Sequence, residues 1–117
     1  MTVDDRDVFG LTTMTLGPCR VLSLRGELDE VAAPIVGEAI EDEHGAPLIV
    51  DLTGVEFICS AGLHVLLRGG KAPSAIVCPP GNVARVLGIV RAEKATRLYD
   101  DLAAAHEALS ANLAGVA

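Results

Sequence analysis

The sequence predicts an α/β domain in which a mixed sheet of four or five strands carries about four helices. Two neighbouring segments of alternating polarity, joined by Gly17-Pro18, are typical of a β-hairpin. Short, nearly continuous apolar runs follow at residues 48–52 and 75–78, as expected for strands that are buried on both faces. Amphipathic segments separate these runs, and this order of elements predicts parallel strands joined by right-handed crossovers.

The hairpin contains the first two predicted strands, and a helix follows it. Residues 11–16 and 19–25 alternate between apolar and polar side chains, and residues 26–29 are expected to end the second strand. Apolar side chains at helical spacing predict a helix over residues 31–43, with Gly45 beyond its end.

The rest of the chain continues the alternation of strands and helices. The predicted elements are a strand at 48–52, a loop with apolar anchors at 53–58, a helix from Ser60 that Gly69-Gly70 ends, a strand at 75–78, a helix at 83–89 capped by Asn82, a strand at 97–99 and a helix at 102–113 opened by Asp101.

The length of 117 residues fits one folded domain. Residues 1–10 are polar and acidic and predict a flexible arm, which leaves residues 11–117 for a single domain. Half of the residues are hydrophobic, but only two Phe and one Tyr are aromatic, so the predicted core is aliphatic. No segment is typical of a signal peptide or long enough to span a membrane, and we therefore expect a cytoplasmic protein without membrane insertion.

The net charge of −7 argues against a nucleic-acid partner and against docking on an anionic membrane. The three cysteines Cys19, Cys59 and Cys78 form no Cys-x-x-Cys pair, so free thiols are expected rather than a disulfide or a metal site. The sequence contains neither a P-loop nor a glycine-rich dinucleotide motif, and no cofactor is expected.

Ser60 is the candidate functional residue, because it lies at or next to the N-cap of a helix that follows a buried strand. Ligands and partners of open α/β sheets bind beyond the carboxyl ends of the strands. The unpaired N–H groups and the positive dipole end of a helix tolerate a phosphate on a nearby hydroxyl. The small residues Ala61 and Gly62 are expected to leave room for a partner surface. On local chemistry alone, an ordinary serine cap is the alternative.

Acidic side chains form a second candidate site after the second strand. Glu27 and Asp29 lie there, and Asp51 is expected at the end of the third strand. A carboxylate near Ser60 would orient its hydroxyl or repel a phosphate once it is attached. Asp29 also fits a plain cap of the following helix, and the sequence leaves both interpretations open.

Two further residues near Ser60 have alternative interpretations. His64 follows Ser60 by four residues and faces a similar side of the helix, which raises the hypothesis of a Ser-His hydrolase. The Gly-x-Ser-x-Gly motif of such enzymes is missing, so we do not favour this hypothesis. Cys59 fits a redox-sensitive thiol at a helix start or a small buried core residue, and the second is favoured. His44 and His106 are expected to face solvent.

The order of these segments resembles the STAS domain of bacterial anti-sigma factor antagonists. The resemblance is carried by Gly26-Glu27-Leu28-Asp29, Leu48-Ile49-Val50-Asp51-Leu52, the segment Val55-Glu56-Phe57-Ile58-Cys59-Ser60-Ala61-Gly62-Leu63 and the later Arg85-Val86-Leu87-Gly88-Ile89. It extends from about residue 11 to residue 113.

The resemblance implies a STAS-like fold and a regulator of transcription rather than an enzyme. It implies that Ser60 is phosphorylated by an anti-sigma factor that is also a serine kinase, that phosphorylation ends the binding of this factor, and that a metal-dependent phosphatase of the PP2C type reverses it. Asp29 matches a family carboxylate near the phosphorylation site. The implied partner-binding residues are Glu27, Asp29, Cys59, Ala61, Gly62, Leu63 and His64.

The chain departs from the family pattern at two places. Cys59 stands where the family often has an aspartate, and the helix after Ser60 is about two turns shorter than is usual. These departures favour an alternative function, a STAS interaction module that is never phosphorylated and serves in a scaffold or transport complex.

Overall fold

The computed structural model describes residues 9–43, 45–67 and 73–114 and confirms the predicted α/β class. Five strands and four helices alternate in it after the initial hairpin. The strands are β1 (Gly10–Leu16), β2 (Cys19–Leu28), β3 (Leu48–Ile58), β4 (Ala75–Val77) and β5 (Arg97–Tyr99), and the helices are α1 (Ala32–Glu41), α2 (Ser60–Leu67), α3 (Asn82–Ile89) and α4 (Leu102–Ala114). A short 3₁₀ turn, Ala92–Lys94, separates α3 from β5.

The strands form one mixed sheet in the order β1-β2-β3-β4-β5. β1 pairs with β2 in antiparallel orientation, and every later neighbouring pair is parallel, which confirms the predicted hairpin and the predicted parallel strands. The two central strands are longer than expected. β2 extends through Leu28 and β3 through Ile58, so the predicted strand end at 26–29 and the predicted loop at 53–58 were wrong.

A register shift explains why the sequence concealed these extensions. Ser23 pairs with Asp51, but Arg25 pairs with Gly54, and a second shift follows between Gly26 and Glu27. Such irregularities break the strict alternation of apolar and polar side chains by which strands are identified. The extended ends bring β2 and β3 to the same edge of the sheet.

The core has two layers, one on each face of the sheet. Leu22, Val50 and Ile76 belong to the larger cluster, which also includes buried residues of α1, α2 and α3. Val21 and Ile49 belong to the second cluster, which buries Ala105 and Leu109 of α4. Consecutive residues of β2 and β3 are therefore buried on opposite faces. The continuous apolar run at 48–52 predicted this for β3. For β2 it differs from the expected alternation, because Val21 and Leu22 are both buried.

The helix ends differ in part from the predicted ones. α1 ends at Glu41 rather than Glu43, and Asp42 is its C-cap. Asn82 is the first residue of α3 rather than its cap, because Gly81 occupies the cap position. The predicted cap of α4 is confirmed, since Asp101 Oδ1 accepts a hydrogen bond from the N–H of Ala104 at 2.7 Å. Gly69-Gly70 lies outside the described residues.

Most of the predicted arm, residues 1–8, also lies outside the described residues. Phe9 packs against the larger core cluster and Gly10 begins β1, so residues 9 and 10 belong to the folded domain and not to the predicted arm. The expectation that His106 faces solvent was wrong, because its Nε2 atom is buried beneath the hairpin turn at Gly17. Among the described residues, none of the helices has the length and apolarity that a membrane crossing requires.

Candidate functional site

The candidate site lies where β2 and β3 leave the sheet next to each other. Leu28 and Ile58 are paired at the ends of the two strands. The N–H of Cys59 then donates to the carbonyl oxygen of Leu28 at 3.0 Å, which continues the ladder by one bond. Asp29 and Ser60 therefore follow neighbouring strand ends, at the edge where open α/β sheets bind their partners.

Ser60 is exposed and is the first residue of α2. The carbonyl oxygen of Cys59 accepts the first helical hydrogen bond, from the N–H of Leu63 at 3.0 Å, so Cys59 is the N-cap. The prediction that Ser60 lies at or next to the cap is confirmed. Within the described part of the chain its hydroxyl makes no hydrogen bond, so it does not serve as a capping group.

The helix start beside Ser60 offers backbone donors. Since Leu63 is the first residue with an intrahelical acceptor, the N–H groups of Ser60, Ala61 and Gly62 precede the helical ladder. These donors and the aligned peptide dipoles produce a positive potential at the first turn. An anionic group on the Ser60 oxygen is electrostatically favoured at this position.

Asp29 caps α1, as one of the two predicted interpretations stated. Its Oδ1 atom accepts hydrogen bonds from the N–H of Val31 at 3.1 Å and of Ala32 at 2.9 Å. The backbone carbonyl of Asp29 accepts the next bond, from Ala33. Capping fixes the carboxylate beside the strand ends, next to the segment that carries Ser60.

Asp51 lies inside β3 rather than at its end, and this corrects the expected grouping with Ser60. Ile58 lies seven positions further along the strand, a distance of about 23 Å at about 3.3 Å per residue. Its Oδ1 accepts bonds from the N–H and the hydroxyl of Thr53, at 2.9 and 2.6 Å. Asp51 therefore stabilises the local strand irregularity and not the Ser60 segment.

A groove of about 470 Å³ separates α1 from α2 and includes Ser60. It is lined by Glu30, Ala33, Pro34, Ser60, Ala61, His64 and Val65. Apolar and small side chains dominate this lining, with Glu30 as its one carboxylate. At its inner end the helices are close, because a Cβ built at Gly37 would lie 3.4 Å from Val65 Cγ1.

The predicted partner-binding residues of α2 divide between this groove and the core. Ala61 and His64 line the groove beside Ser60. Leu63 is half-buried and packs against the larger core cluster. Gly62 is buried, and a Cβ there would lie 2.9 Å from the Leu28 carbonyl oxygen, so its expected role in leaving room for a partner was wrong. Its small size lets α2 approach the end of β2.

Three exposed apolar residues that the sequence pattern did not assign to the site lie on the end of β3 and on or next to α1. Phe57 is 50% exposed and pairs with the exposed Glu27 across β2 and β3. On α1, Val31 is 79% and Ile35 51% exposed. The available signal was the excess of apolar residues in the 31–43 segment, which is too large for one buried stripe. Such exposed apolar groups are typical of interaction surfaces.

The three cysteines are free, as predicted. Cys19 and Cys78 are buried, and burial raises the pKa of both thiols; Asp100 and Asp51 add to the increase in the pKa of Cys78. Cys59 is half-buried rather than a fully buried core residue. Among the residues that the structure describes, no group of three or more His, Cys, Asp or Glu side chains could hold a metal ion.

Comparisons with known proteins agree with this architecture. The family model for the STAS domain matches residues 11–105. The anti-sigma-F factor antagonist RsfB of Mycobacterium tuberculosis is 31% identical over 98 residues, with 77% of this chain and 78% of RsfB covered. The crystal structure of an anti-sigma factor antagonist from Mycobacterium paratuberculosis is similar with a TM-score of 0.78 and 27% identity, over 91% of this chain and 97% of that one.

The fold is also shared with the Bacillus protein SpoIIAA. Its unphosphorylated form matches with a TM-score of 0.57 and 20% identity, over 88% of this chain and 96% of that one. Its phosphorylated form matches with a TM-score of 0.57 and 19% identity, over 86% of this chain and 99% of that one. At this level of identity the likeness concerns the fold.

Proposed function

This chain belongs to the STAS domain family, and on that premise we propose that it is an anti-sigma factor antagonist whose binding is switched off by phosphorylation of Ser60. Its partner is an anti-sigma factor that is also a serine kinase, and binding of the unmodified chain releases the sigma factor that this partner holds. The names of the two mycobacterial relatives support the proposal.

The observation that carries the proposal is the position of Ser60. Its exposed hydroxyl stands on the first turn of α2, inside a mainly apolar groove and beside the exposed Phe57 strand end. A kinase requires an accessible hydroxyl, and a binding partner requires apolar surface to cover. Both requirements meet at this one residue.

The physical effect of phosphorylation follows from the lining of the groove. A phosphoserine carries a charge of about −1.5 to −2 near neutral pH. The first turn of α2 stabilises this charge, so the modified chain stays folded. A partner that covers the groove would have to remove the phosphate from water, next to Glu30, and this cost opposes binding.

The other predicted residues have defined places in this proposal. Ala61 and His64 line the groove beside Ser60, and Asp29 holds the α1 side of the groove through its cap. Cys59 directly precedes Ser60, and Glu27 lies outside the groove, paired with Phe57 near the end of β2. Leu63 and Gly62 act indirectly, by seating α2 on the strand ends. A PP2C-type phosphatase in the cytoplasm would restore the unmodified chain. We assign Ser60 and His64 to binding and not to catalysis.

The direct test combines phosphorylation with binding. The full chain is incubated with ATP, Mg²⁺ and a candidate anti-sigma factor kinase from the same genome, and intact mass is followed. We expect addition of one phosphate to the unmodified chain and none to Ser60→Ala. Ser74→Ala is the control, because Ser74 is also exposed but lies just before β4, where its Oγ accepts a hydrogen bond from the N–H of Leu48 at 3.2 Å.

Binding is then measured with the charge variants Ser60→Asp and Ser74→Asp. We expect Ser60→Asp to weaken binding of the anti-sigma factor at least about tenfold, by desolvation and repulsion at the interface. Ser74→Asp, which adds the same charge elsewhere, should bind as the unmodified chain does. Stoichiometric phosphate on Ser60→Ala, or equal binding by all three proteins, would refute the proposal.

A second candidate function is a STAS interaction module that is never phosphorylated and acts in a scaffold or transport complex. Cys59 favours it, because a half-buried thiol replaces the carboxylate that the family often has before the serine. The discriminating measurement is the mass of the chain isolated from its own cells under inducing and non-inducing conditions. Ser60 that is always unmodified, together with a stable complex that lacks a kinase, would favour this second function.

A further inference from the structure

We propose that the exposed edge of β1 pairs with the β1 edge of a second copy of this chain, which joins two sheets into one continuous ten-stranded sheet. This inference is independent of the proposed function. β1 lies at one end of the strand order and pairs with β2 on its inner side. Along the described part of the chain, no element pairs with its outer side.

The outer side of β1 has the properties of a pairing edge. All seven residues pair with β2 in one continuous register, without a bulge. None of the seven is charged and none is proline, although the chain contains 25 charged residues. Natural edge strands are usually protected by short length, charge, proline or bulges, and the seven residues of β1 themselves provide none of these. Two cations of β2 reach its ends: Arg20 donates to Thr15 Oγ1 at 2.7 Å and is paired with Glu43, and the Arg25 side chain lies against Gly10.

The opposite edge of the same sheet provides an internal comparison. β5 contains only three residues, and the first of them, Arg97, is an exposed cation. This strand is therefore short and charged, as protected edges are. Edges of this sheet are therefore not generally unprotected. The contrast with β5 indicates that β1 is open for pairing with another strand.

The occupant that fits best is a second copy, because identical uncharged strands meet without like-charge repulsion. A two-fold axis normal to the sheet pairs the strands in antiparallel orientation and keeps each residue on its own face. If the axis passes through Thr13, all seven residues are paired. Thr13 then faces its own copy, Thr12 faces Met14, and Leu11 faces Thr15.

These cross-strand pairs are physically compatible. Thr-Thr pairs and β-branched pairs stabilise neighbouring strands, and the Thr12-Met14 pair covers Met14, which is 43% exposed in the single chain. Leu11 packs against the larger core cluster and Leu16 against the smaller one, so both faces of the joined sheet keep their helix layers. Strand pairing alone buries little area, and we expect a weak, reversible dimer.

The net charge of −7 on each chain opposes association, but it is carried by residues outside β1. Salt screens this long-range repulsion and leaves the hydrogen bonds between strands nearly unchanged. We therefore expect dimerisation to strengthen when salt is added. An association driven by attraction between opposite charges would weaken under the same conditions.

The first experiment is sedimentation equilibrium of the full chain from about 10 µM to about 1 mM, a range suited to weak complexes. We expect the average mass to rise from 12.1 kDa towards twice this value. Thr13→Lys should raise the dissociation constant of the dimer at least about tenfold, because two cations would face each other at the two-fold axis. Ile89→Lys makes an equal change in charge on exposed α3 and should dimerise as the unmodified chain does.

The second experiment tests the register by oxidative cross-linking in a Cys59→Ser background. At the axis, Cα atoms of residue 13 lie about 4.5–5.5 Å apart, within the range of a disulfide. Thr13→Cys should therefore form a covalent dimer. Thr15→Cys should not, because four residues of strand separate the two copies of residue 15, about 13 Å.

Circular dichroism of each variant establishes that it is folded before its mass is interpreted. A full chain that stays monomeric at every concentration and salt level would overturn the proposal. A dimer that Ile89→Lys abolishes and Thr13→Lys leaves intact would also overturn it, and would assign the interface to α3.

Discussion

Gly62 of α2 lies directly against Leu28 at the end of β2: a Cβ at residue 62 would be 2.7 Å from Leu28 Cγ and 2.9 Å from the Leu28 carbonyl oxygen. The same carbonyl accepts the hydrogen bond from Cys59. The start of α2, and with it the position of the Ser60 hydroxyl, is therefore set by how closely the helix approaches one strand end.

Gly62→Ala should lower the free energy of unfolding by about 1–3 kcal/mol, because the added methyl group overpacks a backbone contact that has no room to relax. Urea unfolding measures the change. Gly88→Ala is the matched control, since Gly88 is also helical but a Cβ there meets nothing within 4 Å. The control should be more stable than the unmodified chain by up to about 1 kcal/mol. Equal effects of the two variants would contradict the role assigned to Gly62.

The direction in which Gly62 faces illustrates what the sequence could not provide. A small residue after Ser60 is compatible with a surface that admits a partner and with a helix seated on a strand end. Only the rotation of α2 about its axis decides between these, and that rotation is set by the packing of Leu66 and Leu28 in the core. The position of Ser60 was predictable, because a buried apolar run and a following helix locate the edge of the sheet.

Strand length was the other property that local pattern did not reveal. Thr53-Gly54 has the composition of a turn, yet Gly54 lies in β3, where a Cβ would be 3.1 Å from the Leu24 carbonyl oxygen. The glycine is needed for close approach at the register shift and not for a turn. Because β3 stays paired with β2 as far as Ile58, Asp51 lies in the middle of the strand, far from Ser60, and Phe57 lies at the strand end next to the site.

Asp29→Ala should lower the free energy of unfolding by about 0.5–2 kcal/mol, because two N–H groups at the start of α1 lose their acceptor. Asp29→Asn keeps an acceptor and should stay within about 0.5 kcal/mol of the unmodified chain. Thermal or urea unfolding provides the measurement. An unchanged stability of Asp29→Ala would refute the capping role.

The asparagine variant also separates capping from any charge effect on Ser60. If Asp29 acts on the site only through the helix cap, Asp29→Asn will be phosphorylated and will bind its partner as the unmodified chain does. Asp101→Ala is the companion control, because it removes the cap of α4 on the opposite face of the sheet. The Asp101→Ala variant should lose a similar free energy of unfolding and should bind the partner as the unmodified chain does.

The stability of the chain should fall above about pH 8.5, where thiols begin to ionise. Burial raises the pKa of Cys78 and Cys19, and the carboxylates Asp100 and Asp51 raise that of Cys78 further. The folded state thus holds these protons more tightly than the unfolded state does. The resulting stabilisation is complete below the ordinary thiol pKa and is lost as pH rises through the raised value.

The free energy of unfolding in urea, measured from neutral pH to about pH 10, tests this expectation. Cys78→Ala should reduce the loss of stability with pH, although it lowers stability at neutral pH by leaving a small cavity. Val77→Ala, which leaves a cavity in the same strand without removing a thiol, is the control and should retain the full loss. If both variants show the same pH profile as the unmodified chain, the buried thiols do not cause the loss.

His106→Leu should raise the free energy of unfolding by about 1–2 kcal/mol, although it removes a polar residue. The Nε2 atom of His106 is buried without a hydrogen-bond partner among the described residues, and it lies 2.8 Å from the Cβ position of Gly17. The hairpin turn at Gly17, where φ is +57°, therefore lies directly over the imidazole. Leucine buries a similar volume and leaves no donor or acceptor unpaired. Glu107→Leu, at the next and exposed position of α4, should change stability by less than about 0.5 kcal/mol. Destabilisation by His106→Leu would instead show that the imidazole is hydrogen-bonded in solution, for example through a bridging water.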